Sequence, residues 1–166
     1  EAGMTVTIRY PDGSLATIGQ NSDFELEGKV EGTEWNRLKN GLIRGIIKKS
    51  GEIGPDGRPK HRFLIRTKSA VMGVRGTDFV MSLDPKDELA RVHTLDGTVE
   101  VAPNETSLLS GKGQPLKAGQ FVEANPSGVI SQPQSFSPAE FLKSIGGQNL
   151  GGGGGASSAL PALPTL

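Results

Sequence analysis

The sequence predicts an all-β domain, and three observations carry that prediction. Short stretches that alternate apolar and polar residues recur along the chain, and this alternation is the period of a half-buried strand. They follow one another at intervals of roughly 8–12 residues. Glycine turns such as Asp12-Gly13 and Asp96-Gly97 separate them. The pattern is typical of a sandwich, a barrel or a β-solenoid and does not choose among them.

The N-terminal part predicts a hairpin followed by a third strand. Residues 5–10 alternate, and residues 15–18 form a second apolar stretch after the turn at Asp12-Gly13. Two such stretches about an Asp-Gly turn indicate an antiparallel hairpin. Residues 24–27 alternate again and predict the next strand.

Residues 35–47 are ambiguous between helix and strand. Their apolar side chains follow the helical spacing, but Gly41 and Gly45 lie inside the segment and weaken a helix. Residues 50–60 are rich in glycine and proline and predict a polar loop. Further strands are predicted at residues 62–67, 78–83, 91–95, 98–101, 116–124 and 129–130. The two strands about Asp96-Gly97 repeat the pattern of the first hairpin.

One short helix is predicted near the C-terminal end. Ser137 and Glu140 form a capping box, Pro138 takes the first helical position, and Gly146 closes the helix. We therefore expect an all-β domain over residues 1–136, a peripheral helix over 137–146, and a glycine-rich tail over 147–166.

The tail admits two interpretations. Its glycine content suits a disordered segment. Alternatively, the apolar residues at its end bind a neighbouring subunit, because a proline-bearing peptide loses little entropy on docking. The candidate binding residues are Leu160, Leu163 and Leu166.

Composition excludes several functional classes. The chain has no cysteine and two histidines, so it lacks thiol chemistry and has little capacity to bind metal through cysteine or histidine. Eighteen basic and eighteen acidic residues give no net charge, which argues against a nucleic-acid-binding domain. No apolar stretch reaches the length that a membrane-spanning helix needs. We expect no cofactor.

The neutral total hides an uneven distribution of charge. Residues 34–68 carry ten basic and three acidic side chains, whereas the segments on either side are net negative. Folding either brings these segments together and cancels the field, or leaves a basic face for an acidic partner or an anionic glycan such as peptidoglycan. The candidate residues for such a face are Arg37, Lys39, Arg44, Lys48 and Lys49.

No catalytic motif is present. The chain has no Gly-x-Ser-x-Gly elbow, no P-loop and no His-Glu-x-x-His pair. His61 lies between basic residues and is expected to be a solvated loop residue. His93 alternates with Val92 on a predicted strand and is expected to point into solvent. We therefore expect a protein that is not an enzyme.

One stretch is distinctive, Ile65-Arg-Thr-Lys-Ser-Ala-Val-Met-Gly-Val-Arg-Gly-Thr-Asp-Phe-Val80. It resembles the core motif of FecR-type domains, with Lys68 where proline is usual. Elements of that family also appear in order in Asp12-Gly-Ser-Leu15, residues 38–44, Leu95-Asp-Gly-Thr-Val-Glu-Val101 and Leu116-Lys-Ala-Gly-Gln120. The resemblance favours a strand over residues 38–43, with a possible helical turn at 45–49.

The motif residues themselves are Gly73, Val74, Arg75, Gly76, Thr77, Asp78 and Phe79. Glycine permits a positive φ or a close approach of backbone, so we expect a structural turn rather than a ligand site. Arg75 and Asp78 are expected to pair across it, and Val74 and Phe79 to be apolar anchors.

The resemblance implies a non-enzymatic extracytoplasmic domain, periplasmic or secreted, in a bacterium. The leading interpretation is an interaction or scaffold module that binds a protein partner or assembles with itself in the cell envelope. The alternatives are glycan binding through residues 34–68, and a periplasmic signalling domain that couples an outer-membrane transporter to sigma-factor regulation.

Overall fold

In the computed structural model, which describes residues 4–146, a twelve-stranded sheet curls into an open half-barrel. The all-β prediction is confirmed. The strands are β1 (Val6–Arg9), β2 (Leu15–Ile18), β3 (Asp23–Val30), β4 (Thr33–Ile46), β5 (Phe63–Arg66), β6 (Val71–Val74), β7 (Asp78–Leu83), β8 (Ala90–Asp96), β9 (Thr98–Ala102), β10 (Gln114–Lys117), β11 (Gln120–Ala124) and β12 (Gln134–Ser135). The helices are α1 (Glu105–Leu109) and α2 (Pro138–Ile145).

Strand β4 joins the two halves of the sheet. Its first part pairs with β3 and, in parallel, with β5, and β6, β9 and β10 extend this "β5 half". Its second part pairs with β2 and β7, and β1, β8, β11 and β12 complete the "β7 half". The fourteen residues of β4 are therefore common to both halves.

A bend at Gly41 lets one strand serve both halves. Gly41 has φ +97°, a conformation that favours glycine, and Asn40 before it still pairs with β3. A Cβ at Gly41 would overlap Ser22, whose hydroxyl accepts a hydrogen bond of 2.9 Å from the backbone N–H of Leu42. The glycine that argued against a helix thus marks the place where the strand changes partners.

The helical turn expected at residues 45–49 is wrong. The strand continues to Ile46, and the backbones of Ile47 and Thr77 exchange hydrogen bonds of 2.9 and 3.0 Å. The segment therefore stays extended, because its backbone groups form hydrogen bonds with the motif turn and not with one another, as they would in a helix.

Of the two Asp-Gly turns, only the first forms a hairpin. Strands β1 and β2 pair antiparallel across Asp12-Gly13, as predicted. The chain turns at Asp96-Gly97 as well, but β8 pairs with β7 and β11, whereas β9 pairs with β6 and β10. The second turn therefore carries the chain from one half to the other. Residues 116–124 also divide between β10 in one half and β11 in the other.

The concave side of the half-barrel holds the main core, to which both halves contribute. Its fully buried members include Leu38, Ile43, Phe63, Met72 and Phe79. Gly45 is required here, because a Cβ at this position would overlap the ring of Phe79 on the neighbouring strand. The main core therefore has little spare volume between β4 and β7.

Each half also carries a helix on its outer face. Helix α2 has the predicted cap, with the Ser137 hydroxyl accepting from the backbone N–H of Glu140, and buries Phe141 and Ile145 against the β7 half. Helix α1, which the sequence did not predict, buries Leu108 against the β5 half.

Candidate functional site

The motif turn is fixed to the segment that follows β4. The backbone N–H of Ser50 donates to the carbonyl of Arg75 at 3.0 Å, which extends the pairing of Ile47 with Thr77. A Cβ at Gly76 would lie 2.5 Å from the Cα of Lys49. Gly76 does not have a positive φ, so this glycine serves close backbone approach.

The motif side chains are engaged within the fold. Val74 and Phe79 are fully buried in the main core, where they act as apolar anchors. The hydroxyl of Thr77 donates to the carbonyl of Thr98 at 2.9 Å and fixes the turn to the start of β9. Lys68 lies in a turn closed by the hydroxyl of Thr67, which accepts from the N–H groups of Ser69 and Ala70.

The expected pair of Arg75 with Asp78 is wrong. Arg75 forms an ion pair with Glu100 on β9, whereas Asp78 accepts hydrogen bonds from Arg44 on β4. The physical reason is topological: the turn carries the chain from β6 in the β5 half to β7 in the β7 half. The two side chains therefore find partners in different halves.

A row of register neighbours crosses the outer face of the β5 half. Going from β4 to β10, it consists of Trp35, Leu64, Gly73, Glu100 and Pro115. A Cβ at Gly73 would lie 2.7 Å from the ring of His61. The glycine at the centre of the row thus leaves the space that the imidazole of His61 occupies.

His61, Glu100 and Arg75 form a compact charged cluster in that space. His61 Nε2 lies 3.3 Å from Glu100 Oε2, and Arg75 contacts the other carboxylate oxygen. Contact with His61, together with the charge of Arg75, holds the pKa of the Glu100 carboxyl below its usual range despite its burial. The expectation that His61 is a solvated loop residue is wrong, since only 11% of its side chain is exposed.

Cavities open on both sides of this cluster. One, of about 330 Å³, lies beside the motif glycines and is also lined by Lys49 and Thr98. The other, of about 920 Å³, is the "outer cleft", lined by residues 54–61, the end of α1 and the starts of β4 and β10. Its apolar lining includes Trp35, Pro55, Pro59, Leu108, Leu109 and Pro115. Charged side chains such as Glu31, Asp56, Arg58 and Lys60 also line it, so the cleft combines apolar surface with charge and is suited to an organic ligand or a short peptide.

His93 is buried, which corrects the expectation that it points into solvent. It lies on the outer face of β8, but helix α2 covers it, and its ring stacks 4.0 Å from that of Phe141 and 4.8 Å from that of Phe121. Burial, with a smaller contribution from the charge of Arg91, lowers the pKa of His93 to about 3. The imidazole is therefore neutral at physiological pH.

Acidic neighbours neutralise much of the basic segment. Arg37 pairs with Glu27, Lys39 pairs with Glu25, and Arg44 pairs with Asp78. Lys48 and Lys49 are exposed, and within residues 4–146 their ammonium groups form no ion pair. Two lysines do not amount to the basic face that would attract an anionic glycan.

Other predicted features receive no site. Within the described range, no group of three or more histidine, cysteine or acidic side chains is arranged to hold a metal ion. Neither helix of that range has the length and apolarity to cross a bilayer. Leu160, Leu163 and Leu166 lie outside the described residues.

Comparison with known proteins identifies the family. The model of the family described as "FecR protein" matches residues 1–100, which include the hairpin, β4 and the complete motif. The chain belongs to the FecR family. No curated protein sequence matches this FecR chain.

Two crystal structures share the fold of the FecR chain. Both are of a candidate anti-sigma factor from Parabacteroides distasonis, with TM-scores of 0.65 and 0.64 at 18% sequence identity. Each alignment covers 87% of this chain and 61% of the other, so the chain spans about three-fifths of those proteins. Because the match reaches beyond residue 100, the FecR fold extends further than the family model.

Proposed function

We propose that this FecR chain is a non-enzymatic signalling domain that lies outside the cytoplasm and receives its signal by contact with another protein. The family match and the fold shared with a candidate anti-sigma factor support this function over a scaffold. In this proposal, an outer-membrane transporter is the partner, and a sigma-factor regulator carries the signal onwards.

The observation that carries the proposal is the outer cleft, which combines an exposed apolar rim with an ordered polar cluster. Leu109 and Val30 are 51% and 58% exposed, and both line the cleft. His61, Glu100 and Arg75 lie at its inner end, where the Glu100 carboxylate contacts both of the other side chains. Apolar anchors with polar groups beside them are the usual composition of a protein interface.

The experiment is site-specific photo-crosslinking in the envelope of the bacterium that encodes the chain. A photoreactive residue replaces Leu109, and the matched control places it at Leu26, an equally exposed leucine on β3 away from the cleft. We expect position 109, and not position 26, to capture a transporter. Equal capture at both positions, or capture of peptidoglycan fragments at 109, would contradict the proposal.

Self-assembly as an envelope scaffold is the second candidate. Strand β3 favours it, because it lies at an edge of the sheet and every residue except Phe24 is exposed. Such an edge can pair with a strand of another molecule. Sedimentation of the purified chain separates the candidates: rings or polymers at micromolar concentration support the scaffold, and a monomer supports the signalling domain.

A further inference from the structure

A separate pocket lies beside the main core, where the first hairpin meets the turn between β3 and β4. It has a volume of about 240 Å³ and shares no lining residue with the outer cleft. Ile47, Phe63 and the ring of Tyr10 supply its apolar lining. The volume is below the ~300–1,000 Å³ of pockets that hold drug-sized ligands, so this "hairpin pocket" accommodates a group of the size of one side chain.

The hydroxyl of Tyr10, one of the residues that line this pocket, is buried without a hydrogen-bond partner among residues 4–146. Tyr10 is 9% exposed, and its ring packs edge-on against Phe63, with 5.6 Å between the ring centroids. Leaving a buried hydroxyl unpaired is unfavourable, whereas most buried polar groups have a partner. The hydroxyl therefore favours a ligand that forms a hydrogen bond with it.

The charges around this hydroxyl favour a cationic ligand over an anionic one. Burial, followed by the charges of Glu34 and Asp12, raises the pKa of Tyr10 well above its ordinary value. Both carboxylates line the same pocket and act on the hydroxyl as negative charges. A carboxylate or phosphate ligand would be repelled by them, whereas a positively charged hydrogen-bond donor is attracted.

The two carboxylates differ in how fully they are engaged. Asp12 accepts from the backbone N–H and the hydroxyl of Ser14 at 2.8 and 2.9 Å, and it pairs with Arg62 at 2.5 Å. Within the described residues, Glu34 forms one ion pair, in which its Oε1 lies 3.8 Å from Nζ of Lys29. The side chain of Lys29 is 60% exposed, so Glu34 is the carboxylate whose partner is readily replaced.

We propose that the hairpin pocket binds a primary alkylammonium group, which donates to the carboxylate of Glu34 and the hydroxyl of Tyr10. The alkyl part packs on the apolar lining at Ile47 and Phe63, as the stem of a lysine does when its charge stays in polar surroundings. Lys29 already places an ammonium group near Glu34 and acts as an internal competitor. A lysine side chain of another protein and a free aliphatic amine share this chemistry.

Tyr10 is the only tyrosine of the chain, so incorporation of fluorotyrosine gives a single fluorine NMR resonance that reports on the pocket. The full chain is titrated with n-butylammonium, and n-butanol and butyrate are the neutral and anionic probes of similar size. We expect butylammonium alone to shift the resonance in a saturable manner. A resonance that butylammonium leaves unchanged, or that butyrate shifts as strongly, would overturn the proposal.

Two substitutions test the assigned contacts in opposite directions. Glu34→Gln should weaken butylammonium binding about tenfold or more, because a hydrogen bond to a charged acceptor is lost. Lys29→Met should strengthen it about threefold, because the competing ammonium group is removed. Glu25→Gln and Lys39→Met are the matched controls, since this exposed ion pair joins the same two strands outside the pocket, and both should bind as the wild type does. A gain of affinity cannot result from unfolding, so Lys29→Met is decisive even if Glu34→Gln is unstable, and affinity that does not rise in Lys29→Met would contradict the proposal.

Competition against butylammonium distinguishes the two sources of the ligand. Nα-acetyl-lysine amide presents the ammonium group as a protein side chain does, and diaminobutane presents it as a free amine. Tighter binding of the lysine amide supports the proposal with a partner protein as the source, and tighter binding of diaminobutane supports it with a free amine. Failure of both to compete would overturn it. These tests use the purified chain alone, so a negative result counts against the hairpin pocket and leaves the signalling function untouched.

Discussion

The carboxylate of Asp78 accepts two hydrogen bonds from the guanidinium of Arg44, 3.1 Å from Nε and 2.9 Å from Nη2. Arg44 lies on the shared strand β4, and Asp78 begins β7 directly after the motif turn. This contact therefore fixes the start of β7, at the end of the motif, to the strand β4 that both halves of the sheet share.

Asp78→Asn is expected to lower the free energy of unfolding by about 1–2 kcal/mol, because a partly buried, bidentate charge-assisted contact is lost. Urea unfolding measures it. A double-mutant cycle with Arg44→Met should give a coupling energy of about 1 kcal/mol. Additive effects of the two substitutions would show that the pair contributes nothing.

Gly45→Ala is expected to destabilise the fold by about 1–3 kcal/mol, because the new methyl group overlaps the fully buried ring of Phe79. Gly51→Ala is the matched control, since a Cβ there meets no atom within 4 Å. Thermal unfolding of both variants gives the comparison. Equal midpoints for the two would contradict the tight packing between β4 and β7.

Acid is expected to destabilise the fold through His93. Its pKa is about 3 in the folded protein and about 6.5 when unfolded, so between these values only the unfolded state takes up the proton. Stability is complete above pH 6.5 and falls as the pH decreases, by about 2 kcal/mol at pH 5. Chemical unfolding at pH 7 and pH 5 measures the loss.

The control for this prediction is His93→Phe, which keeps a ring between Phe121 and Phe141 and removes the titration. Its stability should change much less than that of the wild type between pH 7 and pH 5. If His93→Phe loses as much stability as the wild type between pH 7 and pH 5, groups other than His93 cause the loss. The pKa values of the Asp12 and Glu100 carboxyls are lowered in the folded protein. Their contribution to stability is therefore lost mainly below pH 5, outside the range that is compared.

Glu100→Gln is expected to cost about 1–3 kcal/mol, because His61 and Arg75 lose the carboxylate that both contact. Glu123→Gln is the control, since Glu123 lies 3.5 Å from Arg91 in a more exposed pair, which is worth at most about 1 kcal/mol. Urea unfolding distinguishes them. A larger loss for Glu123→Gln would refute the role assigned to the cluster beneath the cleft.

Local sequence patterns predicted the elements better than their partners. The alternation in β1 and β2 and the capping box at Ser137 each depend on residues close in sequence, and the structure contains these elements. Asp12-Gly13 and Asp96-Gly97 are the same dipeptide, yet only the first joins paired strands. The difference depends on which strands pair with β8 and β9. The residues of the turn do not determine that pairing.

The candidate site was largely hidden from the sequence for the same reason. His61 looks like a loop residue until Gly73, twelve positions later, is placed beneath its ring. His93 looks exposed until α2 folds over it, more than forty residues away. Helix α1 left one local signal, Asn104, whose side chain accepts from the N–H of Ser107, but a helix of five residues has too short a pattern to detect.

Because β4 belongs to both halves, residues 4–146 contain no linker about which one half can swing relative to the other. Rotation of the halves would require breaking the hydrogen bonds that β4 makes with β3 and β5, or those it makes with β2 and β7. Under the proposed function, a signal received at the outer cleft would therefore not travel as a hinge motion. It would be read at the surface, from which parts of the cleft are covered or free.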